Sequence, residues 1–213
     1  SLRLPYFIAV AENKDITLSP RFFNDDKFLL QSELRQKNKK SAHIGDLSQF
    51  VSTDKGSKGH LFYNFKKNYE SENFDDIDLN IKLEQVTDDT YLKAYKIESP
   101  IINNASNLIN SINLNLYDQT RTINTNLNIY EDLSKVDSDR YEYVPNFNFS
   151  KIFNNNFSYR SSGYYKNYNT NITEKVLIND FEFNSDSKYL DNGIINSKKF
   201  LIKNVNSDAK NSE

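Results

Sequence analysis

Acidic residues cluster at two places where a chain could hold a cation or carry out acid–base catalysis. Asp75, Asp76 and Asp78 form one group, and Asp88 and Asp89 form the other. A calcium loop needs oxygen ligands at fixed loop positions, and an acid–base pair needs two carboxyls whose environments differ strongly. The spacing of these residues fits neither pattern. We therefore predict that both groups are solvated acids in turns.

Other reactive side chains are scarce. The chain has 2 His and no Cys, and neither His43 nor His60 has a second ligand at the spacing of a zinc site. The stretch 52–60 contains glycine and lysine but lacks the spacing of a phosphate-binding loop. We predict surface or loop histidines, a plain loop at 52–60, no metal, no cofactor and no enzymatic activity.

Charge also argues against a nucleic-acid partner. The chain has 27 basic and 29 acidic residues, for a net charge of -2, so it has no excess of basic residues. Glu33 and Arg35 are two residues apart and share one face of a strand. We predict a structural ion pair, and the alternative is that Arg35 binds a sugar phosphate.

The elements that position these residues follow a period of two, which predicts half-buried strands and an all-β fold. Mean hydropathy is only -0.74 although 14% of residues are aromatic, a combination that suits a sheet with one apolar face. Apolar and polar residues alternate at 30–35, 77–83, 112–117, 123–130, 147–150 and 157–160. Polar turns are predicted at 24–27, 53–59, 70–76, 134–140, 160–163 and 184–193.

Two architectures fit this alternation. A soluble β-sandwich buries one face of each sheet, whereas an outer-membrane barrel turns its apolar face to lipid and its polar face to a wet lumen. Tyrosines near the ends of the runs, such as Tyr117, Tyr130 and Tyr141, favour the barrel, because aromatic residues form girdles at the membrane interfaces.

A set of ordered motifs over residues 2–92 resembles the LPS-assembly outer-membrane protein family, LptD. The motifs are a proline–aromatic strand, a turn into a second strand, a Glu-x-Arg strand and an acidic run before a tyrosine. The matching residues are Pro5; Asn13, Asp15, Thr17 and Pro20; Glu33 and Arg35; and Val86, Asp88 and Tyr91.

The resemblance implies an antiparallel up-and-down transmembrane β-barrel in the cell outer membrane. Residues 1–213 would be part of it, an open sheet of early strands that starts near the second strand, without the jelly-roll domain and the C-terminal strands. The implied function is transport of lipopolysaccharide and its insertion into the outer leaflet. The implied partners are the periplasmic Lpt bridge and the plug lipoprotein LptE.

Pro5 has two interpretations. Family members carry prolines in early strands beside the seam through which lipopolysaccharide leaves, and each proline removes a backbone donor. We expect the strand with Leu4–Val10 to lie at an edge, with one partner that begins near Asp15. The alternative is an ordinary strand-start proline. Alternatives for the whole chain are another outer-membrane barrel, such as a porin or receptor, and a soluble β-sandwich binding module.

The barrel hypothesis also predicts which residues share a face. The outward, lipid-facing set is Ile77, Leu79, Ile81, Leu83, Leu114, Leu116, Ile123, Leu127 and Ile129. The inward set is Asp78, Asn80, Lys82, Asn113, Asn115, Asn124, Asn126 and Asn128.

Overall fold

The computed structural model describes residues 1–24, 27–52, 56–168 and 172–211. The strands are β1 (Leu2–Arg3), β2 (Tyr6–Ala11), β3 (Lys14–Phe22), β4 (Phe28–Lys37), β5 (Ser41–Ser52), β6 (Gly56–Tyr69), β7 (Asp76–Val86), β8 (Asn107–Tyr117), β9 (Arg121–Asp132), β10 (Tyr141–Asn154), β11 (Phe157–Tyr168), β12 (Ile172–Asn184), β13 (Lys188–Tyr189), β14 (Ile195–Asn196) and β15 (Lys199–Asn211). One helical turn, α1, spans Tyr91–Ala94, and a 3-10 turn spans Asp137–Arg140.

The strands form a 13-stranded sheet whose order follows the sequence. That order is β1, β3 to β12 and then β15, with β2 also paired to β3, while β13 and β14 form a separate two-stranded sheet. The neighbours are antiparallel, and among the described residues no helix connects parallel strands. The predicted all-β, antiparallel, up-and-down fold is therefore confirmed. Within the described residues β1 and β15 stand at the two ends of the order, so the sheet is open.

The chain divides into two compact units. The first comprises residues 1–69, 79–112 and 128–142, and the second comprises residues 70–78, 113–127 and 143–213. The first unit contains the buried apolar cluster, whose members are Leu29, Phe50, Phe62, Tyr91, Leu92, Ile97, Ile101, Leu108 and Leu133. Four of these come from the connection between β7 and β8, residues 87–106, which we call the cover segment.

The pairing registers assign the side chains of β1 to β6 to two faces, because directly opposite residues lie on the same side of a sheet. Leu30, Leu47 and Leu61 share the side that we call the apolar face. Its further members include Leu2, Tyr6, Ile8, Ile16, Leu18, Pro20, Phe22, Phe28, Leu34, Val51, Tyr63 and Phe65. The opposite side, the polar face, carries Arg3, Asp15, Thr17, Ser19, Arg21, Gln31, Glu33, Arg35, Asp46, Ser48 and His60, together with the apolar Phe7, Leu29, Ile44, Phe50 and Phe62.

The two faces differ in exposure in the direction opposite to that of a water-soluble domain. Leu47 is 53% exposed and Leu61 is 49% exposed on the apolar face, whereas Asp46 is 0% and His60 is 3% exposed on the polar face. In ordinary globular domains charged residues are rarely fully buried unless they are paired, as Asp46 is with His60, while leucine often is buried. The cover segment explains the burial of the polar side, because its apolar residues join the cluster with Phe50 and Phe62.

The second unit shows the same separation in β11, β12 and β15. Tyr159 lies opposite Phe181, and their rings are 4.6 Å apart, with Ile202 next on the same side. On the other side Arg160 is opposite Asp180, and Lys203 Nζ lies 3.7 Å from Asp180 Oδ2. The predicted alternation at 157–160 is therefore confirmed as an aromatic side and a charged side.

Two predicted turns are wrong. Residues 160–163 lie inside β11, and residues 56–59 lie inside β6, while 53–55 fall outside the described residues. A Cβ at Gly163 would lie 2.9 Å from Phe147 Cε1 and 2.9 Å from the carbonyl oxygen of Val176. Gly163 therefore makes room for a neighbouring ring and strand, and its presence in the sequence does not signal a turn.

The exposures in β7 to β9 do not separate the two predicted face sets, because Asp78 and Asn115 of the inward set are exposed and most of the outward set is half-buried. Leu83 is 42% exposed and Leu127 is 40% exposed. On the other side of β7 the side chain of Lys82 is 17% exposed and pairs with Glu84 at 2.5 Å. The orientation of these sets toward lipid stays a prediction.

Gly59 is required by a close approach of β5 and β6. An added Cβ would lie 2.3 Å from the carbonyl oxygen of Ser48, so any side chain at position 59 would force β5 and β6 apart. We predict that Gly59→Ala lowers the free energy of unfolding by about 1–3 kcal/mol, as overpacking does. Denaturant titration followed by circular dichroism measures this change.

Gly45→Ala is the matched control on β5, because its added Cβ would lie 3.7 Å from the nearest atom, Tyr63 Cδ2. Equal unfolding midpoints for the two variants would contradict the prediction.

Candidate functional site

The edge of the sheet is one strand interrupted at a proline. β1 and β2 pair with β3 in a single register, with Leu2 opposite Phe22 and Tyr6 opposite Leu18. Between them the amide of Leu4 donates to the carbonyl of Pro20 at 3.1 Å. Pro20 has no N–H with which to return the bond. The break between β1 and β2 coincides with this missing bond.

Pro5 acts on the other side of the same strand. In an antiparallel ladder alternate residues direct their backbone groups toward the same neighbour. Since Leu4 points to β3, the nitrogen of Pro5 points to the open side. No described strand pairs there, and β3, which begins at Lys14, is the single partner of β2. The predicted edge position of Pro5 is confirmed, while its role in a seam stays a proposal.

Four motif residues of β3 and β4 come together on the polar face, whereas Pro20 of β3 lies on the apolar face. Asp15 lies opposite Arg35, and Thr17 lies opposite Glu33. Arg35 Nε donates to Glu33 Oε1 along the strand, so the predicted ion pair is confirmed. Asn13 lies at the turn before β3, where its carbonyl accepts the Lys37 amide at 2.9 Å.

The remaining motif residues belong to the start of the cover segment. Val86 ends β7, and Asp88 then accepts a hydrogen bond from Lys58 Nζ at 2.6 Å and another from the Thr90 hydroxyl at 2.7 Å. Tyr91 begins α1 and is fully buried. The motif thus fixes the point at which the chain leaves the sheet and folds over the polar face.

Further hydrogen bonds fasten the cover segment to strands near the edge. Arg21 Nη1 donates to the carbonyl of Tyr95 at 2.5 Å, and Gln31 Nε2 donates to the carbonyl of Glu98 at 2.8 Å. Arg140 donates to both carboxylate oxygens of Asp89, at 3.0 and 2.7 Å. The bonds from Arg21 and Gln31 satisfy backbone carbonyls of the cover segment, which would otherwise be costly to bury, and Arg140 pairs with a carboxylate.

His60 is buried in β6, so the predicted surface or loop position is wrong. Its Nδ1 lies 2.6 Å from Ser48 Oγ, and Ser48 Oγ lies 2.6 Å from the Tyr91 hydroxyl. Its Nε2 lies 3.2 Å from Asp46 Oδ1. Burial raises the pKa of the Tyr91 phenol, which keeps the phenol protonated and able to donate to Ser48. His43 lies in β5, and its Nδ1 is 2.7 Å from the Tyr63 hydroxyl.

Asp46, His60 and Ser48 have the residue types of an acyl-transfer triad. In such a triad the serine must face a substrate and oxyanion donors. Here Ser48 is 3% exposed, and its hydroxyl is in contact with Tyr91. The geometry therefore supports a structural role, namely a polar connection between β5, β6 and the cover segment.

The predicted turn acids have mixed outcomes. Asp75 is an exposed residue in a turn, whereas Asp76 and Asp78 lie in β7, so the turn prediction is wrong for those two. Asp88 and Asp89 follow β7 as predicted but have cationic partners. In the part of the chain that the structure describes, no group of three or more His, Cys, Asp or Glu residues could hold a metal ion.

A polar pocket of about 420 Å³ lies in the first unit. Its lining includes Glu84, Asn104, Tyr130, Glu131 and Arg140. Arg140 Nη2 lies 2.6 Å from Glu131 Oε1, and Glu84 is 1% exposed. Carboxylates, amides and a guanidinium in one hollow can bind hydroxyl-rich ligands through several hydrogen bonds at once.

Sequence patterns could have pointed to part of this site. In 44–52 polar Asp46 and Ser48 alternate with apolar Leu47 and Val51, which is the period of a strand. The contact of Tyr91 with Ser48 has no such signal, because it joins residues that are far apart in the chain.

No protein-family model matches this sequence, and comparison with curated proteins gives no match. None of the helices in the described ranges is long and apolar enough to span a membrane.

The attachment of the cover segment has a pH dependence that can be measured. The hydrogen bonds from Lys58 and then Thr90 lower the pKa of Asp88 to about 2, below the value of about 3.9 expected in the unfolded chain. The ionised form is favoured by folding, so its stabilisation is complete above pH ~4 and is lost as the pH falls toward 2.

We predict that Asp88→Asn lowers the melting temperature at pH 7 and that the difference from wild type disappears near pH 2. Circular dichroism melts across this range measure it. Asp75→Asn, at an exposed turn position, is the control and should match wild type throughout. A deficit for Asp88→Asn that persists unchanged at pH 2 would contradict the linkage.

Proposed function

We propose that this chain forms part of the wall of a transmembrane β-barrel in the outer membrane and that the barrel exports lipopolysaccharide. The observation that supports the barrel is the inversion of the two faces of the sheet. Leu47, Leu61 and Val51 are about half exposed, whereas Asp46, Ser48 and His60 on the other side are buried. A sheet with this distribution suits a bilayer on its apolar side and a polar interior on the other.

The free energy of exposure supports the same choice. Leaving apolar surface in water costs roughly 25 cal/mol per Å², and the exposed apolar side chains extend over several neighbouring strands. Large exposed apolar patches on proteins mark surfaces that are covered by a partner or a membrane. Closed barrels are the strand-built structures that satisfy all backbone groups in lipid.

The lipopolysaccharide part of the proposal is supported by the edge strand. An export seam needs a strand pair that opens without unfolding the barrel. One lost ladder bond changes stability by only about 0.5–1.5 kcal/mol, so Pro5 and Pro20 weaken the edge without dismantling it. In this proposal the polar pocket faces the saccharide, LptE occupies the lumen, and the periplasmic Lpt bridge delivers the substrate.

A porin or receptor barrel is the second candidate, because it has the same two faces. The edge prolines favour export over this candidate, since a barrel that never opens has no need of a weakened pair. A soluble β-sandwich is disfavoured, because it would bury the side of the sheet on which Leu47 and Leu61 remain exposed.

The barrel proposal predicts that the polar face tolerates a substituted charge better than the apolar face does. Leu47→Lys or Leu61→Lys in the complete protein should destabilise the membrane-folded state by about 2–4 kcal/mol if the position is near the midplane. Thr17→Lys, on the polar face opposite Glu33, should cost little. Urea unfolding from lipid vesicles measures the three values. Equal tolerance on both faces would count against the bilayer assignment.

The export proposal predicts a specific role for Pro5. Pro5→Ala restores a donor on the open side of the strand, so it should tighten the seam and slow the delivery of lipopolysaccharide while the barrel still folds. Crosslinking across the seam and surface lipopolysaccharide levels are the measurements.

Pro145→Ala is the matched control, since Pro145 lies in β10, which has β9 and β11 as neighbours. It should leave delivery unchanged. Normal export by Pro5→Ala would reduce Pro5 to a strand-start proline and would remove the support for a seam.

A further inference from the structure

Two arginines face each other across the edge of the sheet. Arg3 in β1 lies directly opposite Arg21 in β3, on the polar face. The amide of Leu4 donates to the Pro20 carbonyl of β3, so the adjacent Arg3–Arg21 pair is of the non-hydrogen-bonded type, in which side chains approach most closely. Like charges directly opposite each other in a sheet are destabilising. An anion bound between the two arginines would remove this repulsion, so the pair is suited to binding an anion.

The partners of these two guanidiniums leave donors free. Arg21 Nε donates to Ser1 Oγ at 3.0 Å, its Nη1 donates to the Tyr95 carbonyl, and the group lies 4.9 Å from the centre of the Phe23 ring. These contacts orient the guanidinium without neutralising it. Among the described residues Arg21 makes no contact with a carboxylate.

Arg3 has one acidic partner, and that partner is weakly held. Its Nη1 lies 3.3 Å from Glu98 Oε2, and the two side chains are 44% and 83% exposed. Exposed ion pairs of this kind contribute about 0–1 kcal/mol, so an incoming anion can displace Glu98. Two positive charges and one displaceable negative charge give the site a net attraction for an anion.

We propose that Arg3 and Arg21 form a binding site for a phosphate monoester. The planar fork of arginine binds two phosphate oxygens at once, and two forks opposite each other can hold one phosphate between them. The position beside the open edge suits the phosphorylated head group of a lipid. This source of the phosphate rests on the export proposal, whereas the binding chemistry does not.

The test measures binding to the complete, purified protein in non-ionic detergent. The probe is a fluorescent phosphatidic acid, which carries a phosphate monoester, and its anisotropy reports binding. A phosphatidylglycerol with the same label is the diester control. The variants are the double substitution Arg3→Gln with Arg21→Gln and the single substitution Arg35→Gln. Arg35 lies on the same face but already pairs with Glu33.

We expect the double variant to bind phosphatidic acid roughly 10- to 100-fold more weakly, which corresponds to losing charge-assisted hydrogen bonds. Arg35→Gln should bind within about twofold of wild type, since its guanidinium already has a carboxylate partner. Lysine at both positions should restore only part of the affinity, because it keeps the charge but not the fork.

Displacement of the probe by inorganic phosphate would assign the site to phosphate in general. Failure of displacement, with the loss in the double variant intact, would assign it to lipid-bound phosphate.

Unchanged binding by the double variant, or an equal loss in Arg35→Gln, would overturn the site. Because the assay needs neither export nor a seam, its failure leaves the Pro5 experiment standing, and failure of the Pro5 experiment leaves this site standing.

Discussion

Burial of polar groups on one side of the sheet, with apolar groups exposed on the other, is the constraint on which the rest of this structure depends. Asp46, Ser48 and His60 lie beneath the cover segment, while Leu47 and Leu61 on the same strands remain exposed. A strand reverses its two sides when its register slips by one residue. The registers of β3 to β6 must therefore be fixed together, and the buried polar contacts provide the specificity that fixes them.

The cover segment lowers the free-energy cost of this burial. Burying an unpaired polar group costs about 1–3 kcal/mol, and the segment supplies partners as well as apolar cover. The Tyr91 hydroxyl reaches Ser48, and the Gln31 side chain binds both Asp46 and the Glu98 carbonyl. Leu92 and Tyr91 meanwhile pack with Phe50 and Phe62. The cover segment thus contributes four residues to the buried cluster of the first unit and bonds to some of its buried polar groups.

Much of the fold could be predicted from the sequence, because strand periodicity is a local property. The alternation at 77–83 and 123–130 lies within β7 and β9, and the Glu33–Arg35 pair follows from their spacing. The failures share a cause. The sequence predicts a turn at Gly163, whereas the need for glycine there is set by Phe147, a residue on another strand. The sequence predicts a surface or loop position for His60, whereas its burial depends on Tyr91, which is distant in sequence. Contacts of this kind have no local signal.

The face assignment can be measured most directly by spin labelling at single introduced cysteines, since residues 1–213 contain no cysteine and any cysteine elsewhere in the complete protein is first replaced by serine. Labels at successive positions 45–51 of β5 in the complete, bilayer-reconstituted protein report access to oxygen, which concentrates in lipid. The account predicts that oxygen access alternates with a period of two and is highest at odd positions such as Leu47. Uniform access along β5, or maxima at Asp46 and Ser48, would contradict the central claim that the apolar face lies against the bilayer.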